Sequence, residues 1–266
     1  MTLLRRAAAE FIGTALLLVA IIGSGIAAQR LSPHDTGLAL LENAIATGGA
    51  LVAIILAVGA VSGAHLNPAV SVVDAVLGGL RWREVGPYIA AQFAGGVVGA
   101  VIANLMFSLP ALNVSVHARG SSNLWLGEVV ATFGLLLVIF GVVRSGRAAA
   151  APFAVGAYIT GAYWFTSSTS FANPAVTVAR TLSNTFAGIA PSSVAGFIAA
   201  QVIGAALAVG VIRVLFPPVA NAASGAADGA AAPRWRDVDR EPADPSLPER
   251  SGELLHGVDD RTRSGA

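Results

Sequence analysis

The sequence predicts an all-α membrane protein with six transmembrane helices plus two half-helices in an inverted repeat. The first observation behind this prediction is composition: 55% of the 266 residues are hydrophobic and 12% are charged, which is about half the charged fraction of a soluble protein. The second is a series of apolar runs long enough to cross a bilayer. The third is the phrase Asn-Pro-Ala-Val, which occurs at residues 67–70 and again at 173–176.

Each copy of this phrase is typical of a helix start. The Asn side chain can cap the first turn, and Pro is tolerated at the first helical position, where its missing N–H costs nothing. Only about ten apolar residues follow each copy, which gives roughly 15 Å of helix, half the hydrocarbon core of a bilayer. One Asn-Pro-Ala is a common helix cap. Two copies that each open a half-length run predict two buried half-helices, at about 67–77 and 173–183.

The other elements form two similar units, at about 5–108 and 122–216. Each unit has two full spans, a non-helical stretch, a half-helix and a third full span. The full spans are predicted at about 7–29, 37–60 and 86–108 in the first unit, and at about 122–144, 150–166 and 191–216 in the second.

The two units also match residue by residue. Glu10 and Thr14 of the first unit correspond to Glu128 and Thr132 of the second, and Ile-Ala-Ala-Gln occurs in both third spans. Because three spans are an odd number, the second unit crosses the membrane in the opposite direction. The repeat is therefore inverted, and its site is expected near the bilayer midplane.

At these residues the chain resembles the aquaporin family, the major intrinsic proteins, whose signature is two Asn-Pro-Ala half-helices that meet at mid-membrane. The resemblance covers about 5–216. It implies a passive channel for small neutral solutes, with one pore per protomer, in a homotetramer surrounded by membrane lipid. The pore residues it implies are Asn67, Pro68, Ala69, Asn173, Pro174 and Ala175.

The half-helix ends predict how such a pore treats charge. Each N-terminus carries about half an elementary positive charge and unsatisfied N–H groups, so the midplane repels cations. Asn67 and Asn173 are expected to turn amide donors toward a passing water or hydroxyl oxygen and to interrupt a proton chain. No group in this arrangement titrates near neutral pH, which suits passive conduction.

Glu10 and Glu128 are intramembrane acids, and a charge at the centre of a transmembrane helix costs about 2.5–3.5 kcal/mol on insertion scales. One interpretation is a proton relay. The other is structural: each carboxylate accepts N–H donors from the non-helical stretch before a half-helix, where the backbone must be satisfied. Their repeat-symmetric placement favours the structural interpretation, which the aquaporin resemblance also implies.

The resemblance further places a selectivity filter at fixed offsets from the two Asn residues. These offsets give Thr47, Gly161, Ser170 and Val176. Most aquaporins have Arg at the last position, so Val176 predicts a small, uncharged and weakly polar filter. The stretch 161–176 resembles a bacterial aquaglyceroporin subgroup associated with arsenic resistance, which implies passage of arsenite or methylarsenite, glycerol-like polyols and also water.

Three further residues near the half-helices, two charged and one His, are interpreted separately. Arg180, seven residues after Asn173, is expected to complement the dipole at a half-helix C-terminus rather than replace the missing filter Arg. Asp74, at the same offset from Asn67, has the unfavourable sign there, and the sequence gives no explanation for it. His65 either faces the cytoplasmic mouth, as the resemblance implies, or makes a loop contact.

The alternatives are a water-selective aquaporin and a secondary transporter with broken helices. A transporter needs an acidic ion site, and both intramembrane Glu residues have a structural explanation. The chain has no Cys, no HExxH motif, no Ser/His/Asp set and four scattered His. We therefore expect no enzyme activity, no metal, no cofactor and no nucleic-acid partner.

Arginine placement predicts the topology. With the N-terminus inside, seven Arg flank the cytoplasmic side of residues 1–216 and three flank the other side. We expect a multi-pass protein of the cell (inner or plasma) membrane with both termini cytoplasmic. The channel domain is expected at 1–218, followed by a disordered cytoplasmic tail at 219–266, which lacks apolar periodicity.

Overall fold

The computed structural model describes residues 1–216, so the predicted tail at 219–266 and the end of the predicted channel domain lie outside the described residues. The described part is mostly helical. Its α-helices, in chain order, are α1 (Leu3–Leu31), α2 (Thr36–Ser62), α3 (Pro68–Val76), α4 (Trp82–Met106), α5 (Ser122–Arg144), α6 (Ala151–Phe165), α7 (Pro174–Ala179) and α8 (Pro191–Leu215).

Five of these helices are long and apolar enough to cross a membrane by length and composition: α1, α2, α4, α5 and α8. The sixth predicted span, α6, has 15 residues, about 22 Å of helix. A 3₁₀ turn at Ala148–Ala150 continues it at its N-terminal end. The all-α architecture with six spans and two half-helices is thus the one that the sequence predicts.

The half-helices are α3 and α7, and both begin at the Pro of the repeated phrase. In each case the preceding Asn is the cap and Pro occupies the first turn. The second half-helix is shorter than predicted, because its α-helical part ends at Ala179 and continues as a 3₁₀ turn at Arg180–Leu182. We call residues 63–67 and 166–173, which lead into these half-helices, the approach loops.

Within each unit the long helices pack closely, and small residues permit it. Gly95 and Gly99 of α4 lie directly against backbone atoms of Phe11 and Ala15 in α1, where a Cβ would collide with a carbonyl oxygen. Gly204 of α8 lies in the same way against the Val129 carbonyl of α5. This backbone-to-backbone packing is how transmembrane helices gain contact without a hydrophobic driving force.

Helices α2 and α6 connect the two units, and the half-helices fill the space between them. Gly48 of α2 and Gly156 of α6 meet backbone to backbone. The main buried apolar cluster includes Leu66, Ala172 and Val176 from the half-helix region together with residues of α1, α2, α4, α5 and α6. The approach loops are therefore held inside the bundle.

Candidate pore

The N-terminal ends of α3 and α7 are tied to each other by their capping Asn residues. The Asn67 side-chain oxygen accepts a hydrogen bond from the Ala69 N–H at 2.9 Å, and the Asn173 oxygen accepts from Ala175 at 2.9 Å and from Val176 at 3.2 Å. The amide nitrogens bond across the junction. Asn67 donates to the Ala172 carbonyl at 2.7 Å, and Asn173 donates to the Leu66 carbonyl at 2.8 Å.

This cross-bonding uses one of the two amide hydrogens on each Asn. The other hydrogen on each has no hydrogen-bond partner among the described residues. Both Asn side chains are buried. The junction of α3 and α7 therefore offers two amide donors, fixed in place by the opposite approach loop.

The approach loops have unusual backbone conformations. The φ angles of Leu66 and Ala172 are 51° and 48°, and those of Ala64, Thr169 and Ser170 are also positive. None of these residues is Gly, and left-handed conformations of this kind persist only where the surroundings hold them. Glu10 of α1 and Glu128 of α5 help to stabilise these conformations by hydrogen bonding to the loops.

Glu10 and Glu128 direct their carboxylates at these loops. Glu10 accepts hydrogen bonds from the N–H groups of His65, at 2.9 Å, and Leu66, at 2.6 Å. Glu128 accepts from the N–H groups of Phe171, at 2.8 Å, and Ala172, at 2.9 Å. Both side chains are completely buried. The two units thus satisfy strained loop backbone with the same residue at the same repeat position.

A Gln from the third span of each unit completes the arrangement. The Gln92 amide donates to Glu10 at 2.8 Å and to the Ser71 hydroxyl at 2.9 Å. The Gln201 amide donates to Glu128 at 2.7 Å and to the Thr177 hydroxyl at 2.9 Å. Each Gln therefore connects an intramembrane carboxylate to the first turn of a half-helix.

The structure places the four predicted filter residues in different surroundings. Thr47 and Val176 are buried, and Val176 belongs to the main apolar cluster. The Ser170 hydroxyl is buried and has no hydrogen-bond partner among the described residues. Gly161 is half-buried, and a Cβ built on it would meet only the Phe165 ring, at 3.6 Å.

Tyr163 lies at this level and was not among the predicted filter residues. It is buried, and its hydroxyl donates to the Thr47 hydroxyl at 3.2 Å. Tyr163 lies two residues after Gly161. It can reach Thr47 only if α6 is rotated so that this face meets α2, and the sequence does not give that rotation. The sequence feature that could have indicated Tyr163 is a Tyr within an apolar span, because a buried Tyr hydroxyl normally finds a polar partner.

A cavity of about 180 Å³ is lined by Asn43, which lies one turn of α2 before Thr47, and by Thr169, which directly precedes Ser170 in the chain. We call it the arginine mouth. Its lining residues are Thr36, Leu40, Asn43, Arg119, Thr169, Arg180 and Phe186.

Arg180 follows α7 directly, at the C-terminus where the sequence analysis expects it, and its side chain makes further contacts. Its guanidinium donates from Nε to the Ala187 carbonyl and lies 3.5 Å from the centroid of the Phe171 ring. Arg119 approaches the same ring at 5.2 Å and donates from Nε to the Gly188 carbonyl at 3.0 Å. Burial lowers the pKa of the Arg119 guanidinium, because its charge is poorly solvated there. Both cations therefore lie at the arginine mouth.

At the opposite end of the pore, the residues that the sequence left open form one group. Asp74 Oδ2 lies 3.4 Å from His65 Nε2, and His65 Nδ1 lies 3.1 Å from the Ser71 hydroxyl. The His65 ring also lies 5.4 Å from the Tyr88 ring. Asp74 thus has a side-chain partner, which the offset from Asn67 alone did not reveal.

Two half-helices that meet inside a six-span bundle define a multi-pass membrane channel. The sequence matches the family profile described as Major intrinsic protein over residues 1–170. The chain belongs to the major intrinsic protein family, as its resemblance to the aquaporins indicated. It is a membrane channel for small neutral solutes and not an enzyme.

Individual proteins support the same assignment. The chain is 49% identical over 216 residues to "Aquaglyceroporin AqpS" of Rhizobium meliloti (strain 1021), which covers 81% of this chain and 92% of that protein. It is 37% identical over 150 residues to "Glycerol uptake facilitator protein" of Bacillus subtilis (strain 168), covering 50% of this chain and 53% of that protein.

Among solved structures, the X-ray structure of the aquaglyceroporin from Plasmodium falciparum has the same fold. Its TM-score is 0.64 at 21% sequence identity, and the match covers 84% of this chain and all of that one. At this identity the match supports the fold alone.

Proposed function

We propose that this channel passively conducts uncharged trivalent arsenic species, such as arsenite and methylarsenite, together with glycerol-like polyols. The observation that carries this proposal is Val176, a buried and uncharged side chain at the position where most aquaporins have Arg. The names of two relatives, an aquaglyceroporin and a glycerol uptake facilitator, support a solute larger than water.

The proposed filter consists of Thr47, Gly161, Ser170 and Val176. Hydroxyl groups of Thr47 and Ser170 supply its polar atoms, and the Ser170 hydroxyl has no partner among the described residues. Trihydroxylated solutes present several O–H groups of their own, so a few hydroxyls and one apolar wall suit them. A methyl-bearing solute has a side that cannot hydrogen-bond, and Val176 can accept that side.

Beyond the filter, a solute would reach the amide donors of Asn67 and Asn173. A hydroxyl oxygen that accepts from these donors passes through the junction, whereas a cation meets the positive ends of α3 and α7. The carboxylates of Glu10 and Glu128 point at loop N–H groups, which supports a bracing role for them rather than proton transfer. This mechanism needs no ion gradient.

We also propose the topology and assembly that the sequence predicts. With both termini cytoplasmic in the cell membrane, the arginine mouth faces outward and the His65–Asp74 group faces the cytoplasm. The channel domain spans 1–218. Each protomer of a homotetramer holds its own pore, because α3 and α7 of one chain form the whole junction.

The test is a comparison of solute uptake by proteoliposomes. Purified full-length protein is reconstituted, and water, glycerol and arsenite fluxes are measured by stopped-flow light scattering against protein-free liposomes. We expect faster glycerol and arsenite uptake, unchanged when sodium and proton gradients are removed. Water flux alone would support a water-selective aquaporin instead, and loss of uptake without a gradient would support a secondary transporter.

A further inference from the structure

The arginine mouth contains two guanidinium groups, and neither forms an ion pair with a carboxylate among the described residues, although the buried Glu128 carboxylate acts on both at longer range. The ion pairs among residues 1–216 join Arg6 and Arg81 to Glu84 and His65 to Asp74, all away from this cavity. Arg180 is buried, with only 2% of its surface exposed. A buried charge normally has a counterion, because desolvation makes an unpaired one unfavourable.

The hydrogen bonds of the two Arg residues leave most of their donors free. Each is bonded through Nε to a loop carbonyl, Arg180 to Ala187 and Arg119 to Gly188. Their Nη atoms have no hydrogen-bond partner within the described residues. The Phe171 ring, which both cations face, stabilises positive charge but offers no strong acceptor. Both Arg residues line the same cavity.

The other side chains around the cavity do not supply an anion. Asn43 donates its amide hydrogens to the Ile21 carbonyl at 2.9 Å and to the Ser24 hydroxyl at 2.8 Å. It therefore lines the cavity without a free donor for an anion. The acids nearest in sequence, Asp35 and Glu42, bond instead to the Leu38 N–H and the Ser32 hydroxyl. Thr36 and Thr169 add hydroxyl groups that can donate to an anion.

From this geometry we propose that the arginine mouth binds one small oxyanion between Arg119 and Arg180, and that the bound anion occludes the pore. Arginine forks match the paired oxygens of a phosphate or carboxylate, and hydrogen bonds between two charged groups are the strong ones. A cavity of about 180 Å³ holds inorganic phosphate with room for water. The anion would lie by Asn43, one helical turn before Thr47, and by Thr169, the residue before Ser170, and occlusion follows if the proposed filter lies beyond this cavity.

The occlusion rests on the proposed function, whereas the binding does not. The first experiment therefore measures binding alone, by calorimetric titration of the detergent-purified full chain with sodium phosphate, against sodium chloride at matched ionic strength. We expect one saturable phosphate site per chain. Arg180→Gln and Arg119→Gln should each weaken it at least tenfold. Arg30→Gln is the matched control, since Arg30 bonds to the Phe107 carbonyl at the same end of the bundle without lining the cavity.

The second experiment measures glycerol uptake by proteoliposomes with and without phosphate on both sides. We expect phosphate to slow uptake through the parent and through Arg30→Gln, and to have little effect on Arg119→Gln. If Arg180→Gln does not fold by circular dichroism, Arg180→Lys keeps the charge without the fork and should bind phosphate more weakly than the parent.

The results separate the two claims. No saturable phosphate binding by the parent, or equal weakening in Arg30→Gln and Arg119→Gln, overturns the site. Binding without any slowing of uptake overturns the occlusion. Binding by a parent that conducts no glycerol leaves the site in place and counts against the proposed function.

Discussion

Val176 is the residue at which this pore departs most clearly from the family pattern. It is 3% exposed and packs in the main apolar cluster near Ala172 and Leu66. A valine offers no donor and no charge, so in the proposed filter the polar atoms come from Thr47 and Ser170, with the Tyr163 hydroxyl bonded to Thr47. Residue 176 carries no charge, and the guanidinium groups of Arg119 and Arg180 line the arginine mouth.

An Arg at this position should narrow the pore and restore a fixed cation with several donors. We expect Val176→Arg to reduce arsenite flux sharply and methylarsenite flux most, while water flux falls less. Val176→Leu is the uncharged control and should retain more methylarsenite flux. Uptake of each solute is measured in the same vesicles and normalised to inserted protein. Parent-like methylarsenite flux through Val176→Arg would show that residue 176 does not line the constriction.

Glu128 offers a second prediction at the same scale, because two loop N–H groups depend on it. Glu128→Gln keeps an acceptor oxygen and should retain most flux. Glu128→Leu leaves the N–H groups of Phe171 and Ala172 without their acceptor, at about 1–3 kcal/mol each, and should lower both thermal stability and flux. Complete and equal loss of flux in both variants at normal expression would favour proton coupling instead.

At the scale of elements, the two half-helices depend on each other through their Asn caps. Asn173 caps two N–H groups and Asn67 caps one, and each also donates to the opposite approach loop. A half-helix cannot be moved without loosening the loop that leads into its partner. This mutual dependence explains how short helices of nine and six residues keep a fixed position inside the bundle.

The caps give a prediction about relative stability. Replacing an Asn cap by Ala costs about 0.5–2 kcal/mol, and the lost cross-bond adds to this. We expect Asn173→Ala to lower the thermal midpoint of the detergent-solubilised protein more than Asn67→Ala does, because it leaves one more N–H uncapped. A larger fall for Asn67→Ala would contradict the assigned hydrogen bonds.

The helix pattern was predictable because its signals are local. The half-helix starts follow from Asn-Pro, and the span boundaries lie within a few residues of those observed. The largest differences are at the starts of α1 and α4 and at the end of α7, and two of them have local causes that are easily missed. Thr2 caps α1 by accepting from the Arg5 N–H, and a 3₁₀ turn cuts α7 short at Ala179. The equivalence of Glu10 and Glu128 was predictable in the same way, because the internal repeat in the sequence pairs them directly.

The site was less predictable wherever it depends on contacts between distant segments. Arg119 comes from the loop between α4 and α5, and Arg180 follows α7, yet both reach the Phe171 ring. No spacing rule connects these three residues. Tyr163 reaches Thr47 only because α6 packs against α2 at Gly48 and Gly156. Tertiary packing, rather than any local motif, brings these groups together.

For the molecule as a whole, we predict that the channel domain at 1–218 inserts and conducts without the rest of the chain. Among the described residues, the buried clusters and both approach loops draw on elements from α1 to α8. The sequence predicts no apolar face in 219–266, which lies outside the described residues. A chain ended near residue 220 should therefore insert, assemble and conduct as the full chain does. Loss of the oligomer or of flux after truncation, measured by size-exclusion chromatography and glycerol uptake, would contradict this.

The central claim is passive conduction of small neutral solutes, and the dependence of arsenite uptake on concentration tests it most directly. In proteoliposomes of the full chain without ion gradients, initial arsenite uptake should rise in proportion to external concentration, and the internal level should stop at the external one. Accumulation above the external level when a sodium or proton gradient is applied, or no uptake beyond that of protein-free liposomes, would contradict the account.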